Sequence, residues 1–150
     1  MAFKKVGYAL VIVLLLTILQ FPLTVFAQSD EGDAISQSLS GSPGDPIRGR
    51  AIVLGRQTGL CILCHSGPFP EEAFQGNLAP DLGSSSARLS QAQLRAHIVD
   101  ASHFNKDTIM PSYYRTENLN RVAPKFSGKT ILNAQEIEDV ISFLLSLNKQ

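Results

Sequence analysis

Gly59-Leu60-Cys61-Ile62-Leu63-Cys64-His65 is the stretch on which the reading of this 150-residue sequence turns. Two thiols and an imidazole in the order Cys-x-x-Cys-His are the attachment signature of a c-type haem. Cys61 and Cys64 would add to the two haem vinyl groups as thioethers, the two-residue gap in a turn of helix matching their separation. His65, next along the chain, would then be held under the iron as its proximal ligand. Three competing readings explain less. A thioredoxin-like redox pair needs a βαβ setting that the flanking sequence lacks. A structural zinc site needs four ligands, and no His lies at zinc-finger spacing after Cys64. A plain disulfide would close too short a loop to gain much entropy, and it leaves His65 unexplained.

Upstream of this motif, Asp45-Pro46 reads as a helix start, an N-cap acceptor followed by Pro at the first helical position. Ile47, Ala51 and Leu54 share one face of this short helix, and Gly55 offers its stop. Downstream, Ser90 and Gln93 form a capping-box pattern, with Leu89 placed to staple against Leu94 and with Leu94 and Ile98 as the buried stripe. The last helix has the clearest signal. Asn133 caps it, Glu136 is the reciprocal capping residue, and Ile137, Val140, Ile141, Leu144 and Leu145 recur at helical spacing. Between the helices lie long segments rich in Pro, Gly and Ser, 66–86 and 105–130, which a compact domain carries when they have something to wrap. No strand alternation or internal repeat stands out. The expectation is an all-α domain over 45–150, folded around a cofactor.

The N-terminal part differs in kind. Lys4 and Lys5 precede an uncharged apolar run over 6–19, and Val25-Phe26-Ala27 supplies a small-residue cleavage site, the order of a secretory signal peptide over 1–27. The alternative is an uncleaved membrane anchor, since 6–27 could span a bilayer core of about 30 Å; Gln20 and Pro22 interrupt that run and favour cleavage. Either way the remainder is expected outside the cytoplasm, in the periplasm. No Cys near Ala27 offers a lipid attachment point, and no Arg-Arg pair marks export in the folded state. Residues 28–44, rich in Ser, Gly and Asp, read as a flexible leader. The 13 basic and 13 acidic side chains balance. Loss of Lys4 and Lys5 with the signal would leave a slight acidic excess, and no basic run points to nucleic acid.

The second axial ligand follows by elimination. Met110 is the only methionine besides Met1, and His97 and His103 are the other candidates. His97 falls inside the Ser90 helix, where a structural or exposed role is the plainer reading. His103 could reach the iron only if its loop turned inward, and it is the alternative to Met110. Met110 lies in Thr108-Ile109-Met110-Pro111, where Pro111 stiffens the chain just beyond the thioether. A His65/Met110 pair would raise the reduction potential and fill both axial positions, which favours electron transfer over oxygen activation. The Phe69-Pro70 and Tyr113-Tyr114 loops are candidate docking surfaces, with packing onto the haem as the competing reading.

Ala79-Pro80-Asp81-Leu82 resembles the Pro-x-Leu segment that follows the haem motif in class I cytochromes c. That resemblance implies that the Pro80 carbonyl accepts a hydrogen bond from His65, that Leu82 packs on the haem, and that Gly49 and Val53 lie where the first helix crosses the last near Phe143 and Leu144. A closer likeness runs from about Pro46 to Leu147. The stretches 59–72, 75–82, 107–114, 121–124 and 135–140 resemble the SoxX family, monohaem subunits of the bacterial sulfur-oxidation system. Asn118 and Thr130 depart from the family pattern, which has Gly and Pro there; both are loop positions, and Asn tolerates the left-handed conformation. The resemblance implies a heterodimer with a SoxA-type cytochrome subunit, acting as an L-cysteine S-thiosulfotransferase that oxidatively couples thiosulfate to a cysteine of a SoxYZ-type carrier protein. This chain, with no catalytic residues and no spare thiol of its own, would take the electrons and pass them to a soluble cytochrome c. The alternative is a free-standing periplasmic electron carrier.

Overall fold

A computed structural model describes residues 33–149; the signal-peptide reading of 1–27 lies outside them. Among the described residues the α-helices are α1 Pro46–Leu54, α2 Leu82–Ser86, α3 Gln91–Asp100 and α4 Ala134–Ser146. Short 3-10 turns stand at Cys61–Leu63, Ala101–His103, Pro124–Phe126 and Leu147–Lys149. Among the described residues there is no strand, only an isolated bridge between His65 and Ala79. The described part of the fold is therefore helical.

Local chemistry sets the helix ends. The Asp45 carboxylate accepts from the Ile47 and Arg48 amides, with Pro46 at the first helical position. Reciprocal capping boxes close the N-termini of α3, through Ser90 and Gln93, and of α4, through Asn133 and Glu136. Each satisfies two amides that a helix start otherwise leaves unpaired. The short α2 falls inside a segment read from sequence as loop; Asp81 caps it by accepting from the Ser84 amide.

The core forms where α1 crosses α4. Gly49 permits that crossing: a Cβ there would lie 1.9 Å from the Asp139 carbonyl oxygen and 2.9 Å from Phe143 Cβ. The buried face of α1 is Gly49 and Val53. It is not the stripe of Ile47, Ala51 and Leu54, for Ile47 is 81% exposed and Ala51 is exposed too. Apolar spacing pointed to the wrong face because a close helix crossing selects a missing side chain, not a large one. On α4, Ile137, Val140, Ile141, Phe143 and Leu144 are buried, and Leu94 and Ile98 of α3 join the same cluster.

Residues 33–44, part of the stretch expected to be flexible, are tied to this body. Ile35 donates its amide to the Ala92 carbonyl. Leu39 donates to Glu138 and Asp45 to Asp139, neighbouring carboxylates on α4. The tie depends on partners far along the chain, which composition alone does not reveal. Asn118 has φ +54°, the left-handed conformation expected of it. No helix of the described residues is long and apolar enough to cross a membrane.

Candidate haem-binding site

The haem motif begins in an unusual backbone. Leu60 has φ +63°, left-handed for a residue with a side chain, immediately before the 3-10 turn Cys61–Leu63. The His65 amide then donates to the Cys61 carbonyl at 2.9 Å. This tight turn presents both thiols and the imidazole within five residues. Cys61 and Cys64 are unpaired thiols, each partly buried. Burial pushes the Cys61 thiol up to about 11, against the lowering pull of the Tyr113 hydroxyl 3.9 Å away.

The loop after the motif folds back along it. Gly76 donates its amide to the Ile62 carbonyl and Leu78 and Ala79 donate theirs to that of Cys64. The approach is close enough that a Cβ on Gly76 would lie 2.3 Å from the Leu63 carbonyl oxygen. The Gln75 side chain fastens the loop from inside, accepting from the Gly67 amide at 2.7 Å and donating to the Phe69 carbonyl at 2.8 Å. This course delivers the Pro80 carbonyl to His65, 2.6 Å from Nδ1. A carbonyl only accepts, so Nδ1 carries the proton and Nε2 keeps its lone pair for a metal. Leu82 is anchored by its amide to the Ser66 carbonyl at 2.8 Å and is buried. Asp81 is held below the usual carboxylate range, chiefly by the Ser84 amide.

Of the residues singled out from sequence, Cys61, His65, Pro80, Leu82 and Met110 border one cavity of about 320 Å³. Cys64 is not on its wall. The rest of the wall comes from every helix: Val53 of α1, Ser85 and Ser86 of α2, Leu94, His97 and Ile98 of α3, and Val140 and Leu144 of α4, with Tyr113 and Leu132 from loops. Sequence reasoning placed Val53, Leu94, Ile98, Val140 and Leu144 in the core but not on a cavity wall, because periodic apolar residues look alike; Ser85 and Ser86 carried no signal at all. Arg88 also borders the cavity and is exposed. His97 lines it, stacked on Phe104 with ring centroids 3.9 Å apart, and burial lowers its pKa against the raising effect of Asp33. His103 is exposed, off the cavity wall, edge-on to the same Phe104. Of the two alternatives to Met110, then, His97 is the one the fold brings to the cavity.

Two expected docking residues lie inside instead. Phe69 is 2% exposed, its ring 5.9 Å from that of Phe143, and Tyr113 is 4% exposed. Both aromatic rings find more apolar surface to cover inside than outside. The large apolar side chains left exposed include Leu63, Phe74 and Leu78, along the haem motif and the loop that covers it, and Ile109 next to Met110.

These residues fit a haem. The volume is in the range of cofactor pockets, which span roughly 300–1,000 Å³. The walls are mostly apolar, and a thiol, an imidazole and a thioether all border the cavity. Arg88 provides a cation that would suit the carboxylates of such a group. Among the described residues no three His, Cys, Asp or Glu side chains converge on a common point.

Among solved structures the chain is similar to one described as the crystal structure of SoxXA from P. pantotrophus. The match has a TM-score of 0.70 at 37% identity and covers 77% of this chain and 90% of that one. No protein-family model matches the chain, and no curated protein does.

Proposed function

The chain belongs to the SoxX family, and on that premise we propose that it is the haem-bearing, electron-transferring subunit of a periplasmic two-subunit complex. The observation that carries this reading is the His65 imidazole, oriented by the Pro80 carbonyl at 2.6 Å and bordering the same cavity as Cys61 and Met110. A haem bound there through Cys61 and Cys64 supplies reversible one-electron chemistry. The chain's own part is to hold it. His65 would hold the iron through Nε2, and its Nδ1 bond to Pro80 fixes the ring and would strengthen it as a ligand. Met110 would supply a soft thioether ligand, which favours the ferrous state. Leu82, Leu94 and Ile98, on the cavity wall, would keep water from the iron, and Arg88 would meet the carboxylates.

With both thiols committed to thioethers, this chain has no group to take up sulfur. The thiosulfate chemistry therefore belongs to a SoxA-type partner, which couples thiosulfate to a cysteine of a SoxYZ-type carrier protein. Electrons leave through this chain to a soluble cytochrome c. Leu63 (43% exposed), Phe74 (81%) and Leu78 (71%), along the haem motif and the loop that covers it, support a lasting partner, since a partner seated there would take apolar side chains out of water. In this reading 1–27 is removed on export.

The test is native affinity purification of the tagged holoprotein from the exported fraction, with mass spectrometry of what accompanies it. A stoichiometric cytochrome partner, and thiosulfate-coupling activity in the pair, are expected. A lone monohaem protein at low salt would replace this reading with that of a free electron carrier.

A further inference from the structure

Leu60 occupies a left-handed backbone region that is costly for a residue with a side chain, and it directly precedes Cys61. Such a conformation persists only where its surroundings enforce it. Two amides do part of this: Gly59 donates to the Ile52 carbonyl at 3.2 Å and Leu60 to the Gly55 carbonyl at 3.1 Å. The third restraint comes from elsewhere in the chain. The Tyr113 hydroxyl donates to the Gly59 carbonyl at 2.5 Å, in a buried contact.

Tyr113 stands three residues beyond Met110, and it is the best-tied residue of that loop. Its amide donates to the Ile98 carbonyl at 3.2 Å, and its own carbonyl accepts from the Ile131 and Leu132 amides at 2.9 and 3.2 Å. Ser112 adds a bond from its hydroxyl to Asp100 at 2.5 Å. On the other side of Met110 the bonds are local: the Met110 amide to Thr108 Oγ1, the Asp107 amide to Asn105 Oδ1. Met110 is therefore placed from its C-terminal side. Of the bonds that place it, the Tyr113 hydroxyl is the one that reaches the segment carrying Cys61.

We propose that Tyr113 is a positioning residue that braces the Met110 loop against the Cys61 turn, holding the thioether and the Cys/His side of the cavity at a fixed spacing. Its ring fills the core, but its hydroxyl has this separate task. The inference rests on Met110 as the axial ligand, and its test separates the two.

The test compares the holoprotein with its Tyr113→Phe variant, which keeps the ring and loses only the hydroxyl. Imidazole binds the ferric iron only in molecules whose Met110 has swung away, so its apparent affinity reports that open fraction. Without the brace the Gly59 carbonyl is left unpaired, and the loop opens more often. We expect imidazole to bind Tyr113→Phe about tenfold more tightly than the parent, the size of effect that an unmade buried hydrogen bond produces. Ile137→Val, a buried change away from the cavity, lowers global stability without touching the brace and is expected to leave imidazole affinity unchanged. Equal affinity in Tyr113→Phe and parent, or equal tightening in both variants, would overturn the proposal. A parent protein lacking the far-red thioether–iron band would instead remove Met110 as ligand, and the brace with it.

Discussion

Replacing Arg95 by Met should destabilise the domain strongly and make the damage depend on pH. Arg95 on α3 and Glu138 on α4 are each 2% exposed and meet through two parallel bonds, Nε to Oε1 at 2.7 Å and Nη2 to Oε2 at 2.8 Å. The pair also fastens the N-terminal segment: Arg95 Nη1 donates to the Ile35 carbonyl at 2.5 Å, and Glu138 accepts from the Leu39 amide at 3.0 Å. Met retains the aliphatic stem and removes the charge, leaving a buried carboxylate alone. Breaking one side of such a pair costs about 3–5 kcal/mol. At roughly 4 °C per kcal/mol for a domain of this size, the melting midpoint should fall by about 12–20 °C. The pH dependence is the sharper part. Burial pushes the Glu138 carboxyl up, but the Arg95 and Leu39 hydrogen bonds outweigh it and hold the group below its ordinary value. A carboxyl depressed on folding contributes stability above its unfolded pKa and loses it as pH falls through the folded value. In Arg95→Met the Arg95 bonds are gone and burial, the largest influence, outweighs the remaining Leu39 bond; the folded pKa rises above the unfolded one, and the group favours the folded state most when protonated. The difference in stability between parent and variant should therefore shrink as pH falls from about 7 to about 4. Urea denaturation of both holoproteins at several pH values measures it. A loss below about 1 kcal/mol, or one constant across this range, would refute the reasoning.

Met110→Leu should abolish the far-red thioether–iron band and lower the reduction potential, read by absorption spectroscopy and a redox titration; a surviving band means that another side chain is the ligand. Gly49→Ala should lose about 1–3 kcal/mol in chemical denaturation, as overpacked cores do, because the added Cβ would lie 1.9 Å from the Asp139 carbonyl oxygen and force α1 from α4.

What the sequence shows about this fold is local, and what it hides is contributed from a distance. The capping residues Asn133 and Glu136, three apart, announce α4 because both ends of each bond lie in one turn. The Cys61 to His65 motif is legible for the same reason. The short α2 is not, since its serines carry no periodicity and only Asp81 marks its start. Nor is the binding of 33–44, which needs Arg95, Glu138 and Asp139 from remote helices. Likeness to cytochromes located Gly49 at the helix crossing where hydrophobic spacing chose Ile47 instead. Tyr113 could not be read as a strut, because its partner carbonyl at Gly59 lies 54 residues upstream.

The cavity accounts for the unusual share of loop in so small a domain. Its wall draws on all four helices and on the loops that carry Pro80, Met110, Tyr113 and Leu132. Helices as short as α1 and α2 gain little from propensity alone, since isolated helices below about 12–15 residues are marginal in water. The long segments over 66–81 and 105–130 likewise earn few bonds to one another. Each supplies a part of the wall, Pro80 from the first and Met110 and Tyr113 from the second. In the haem-binding reading, two thiols at the start of the first long loop would fasten the group covalently to the segments that form its wall.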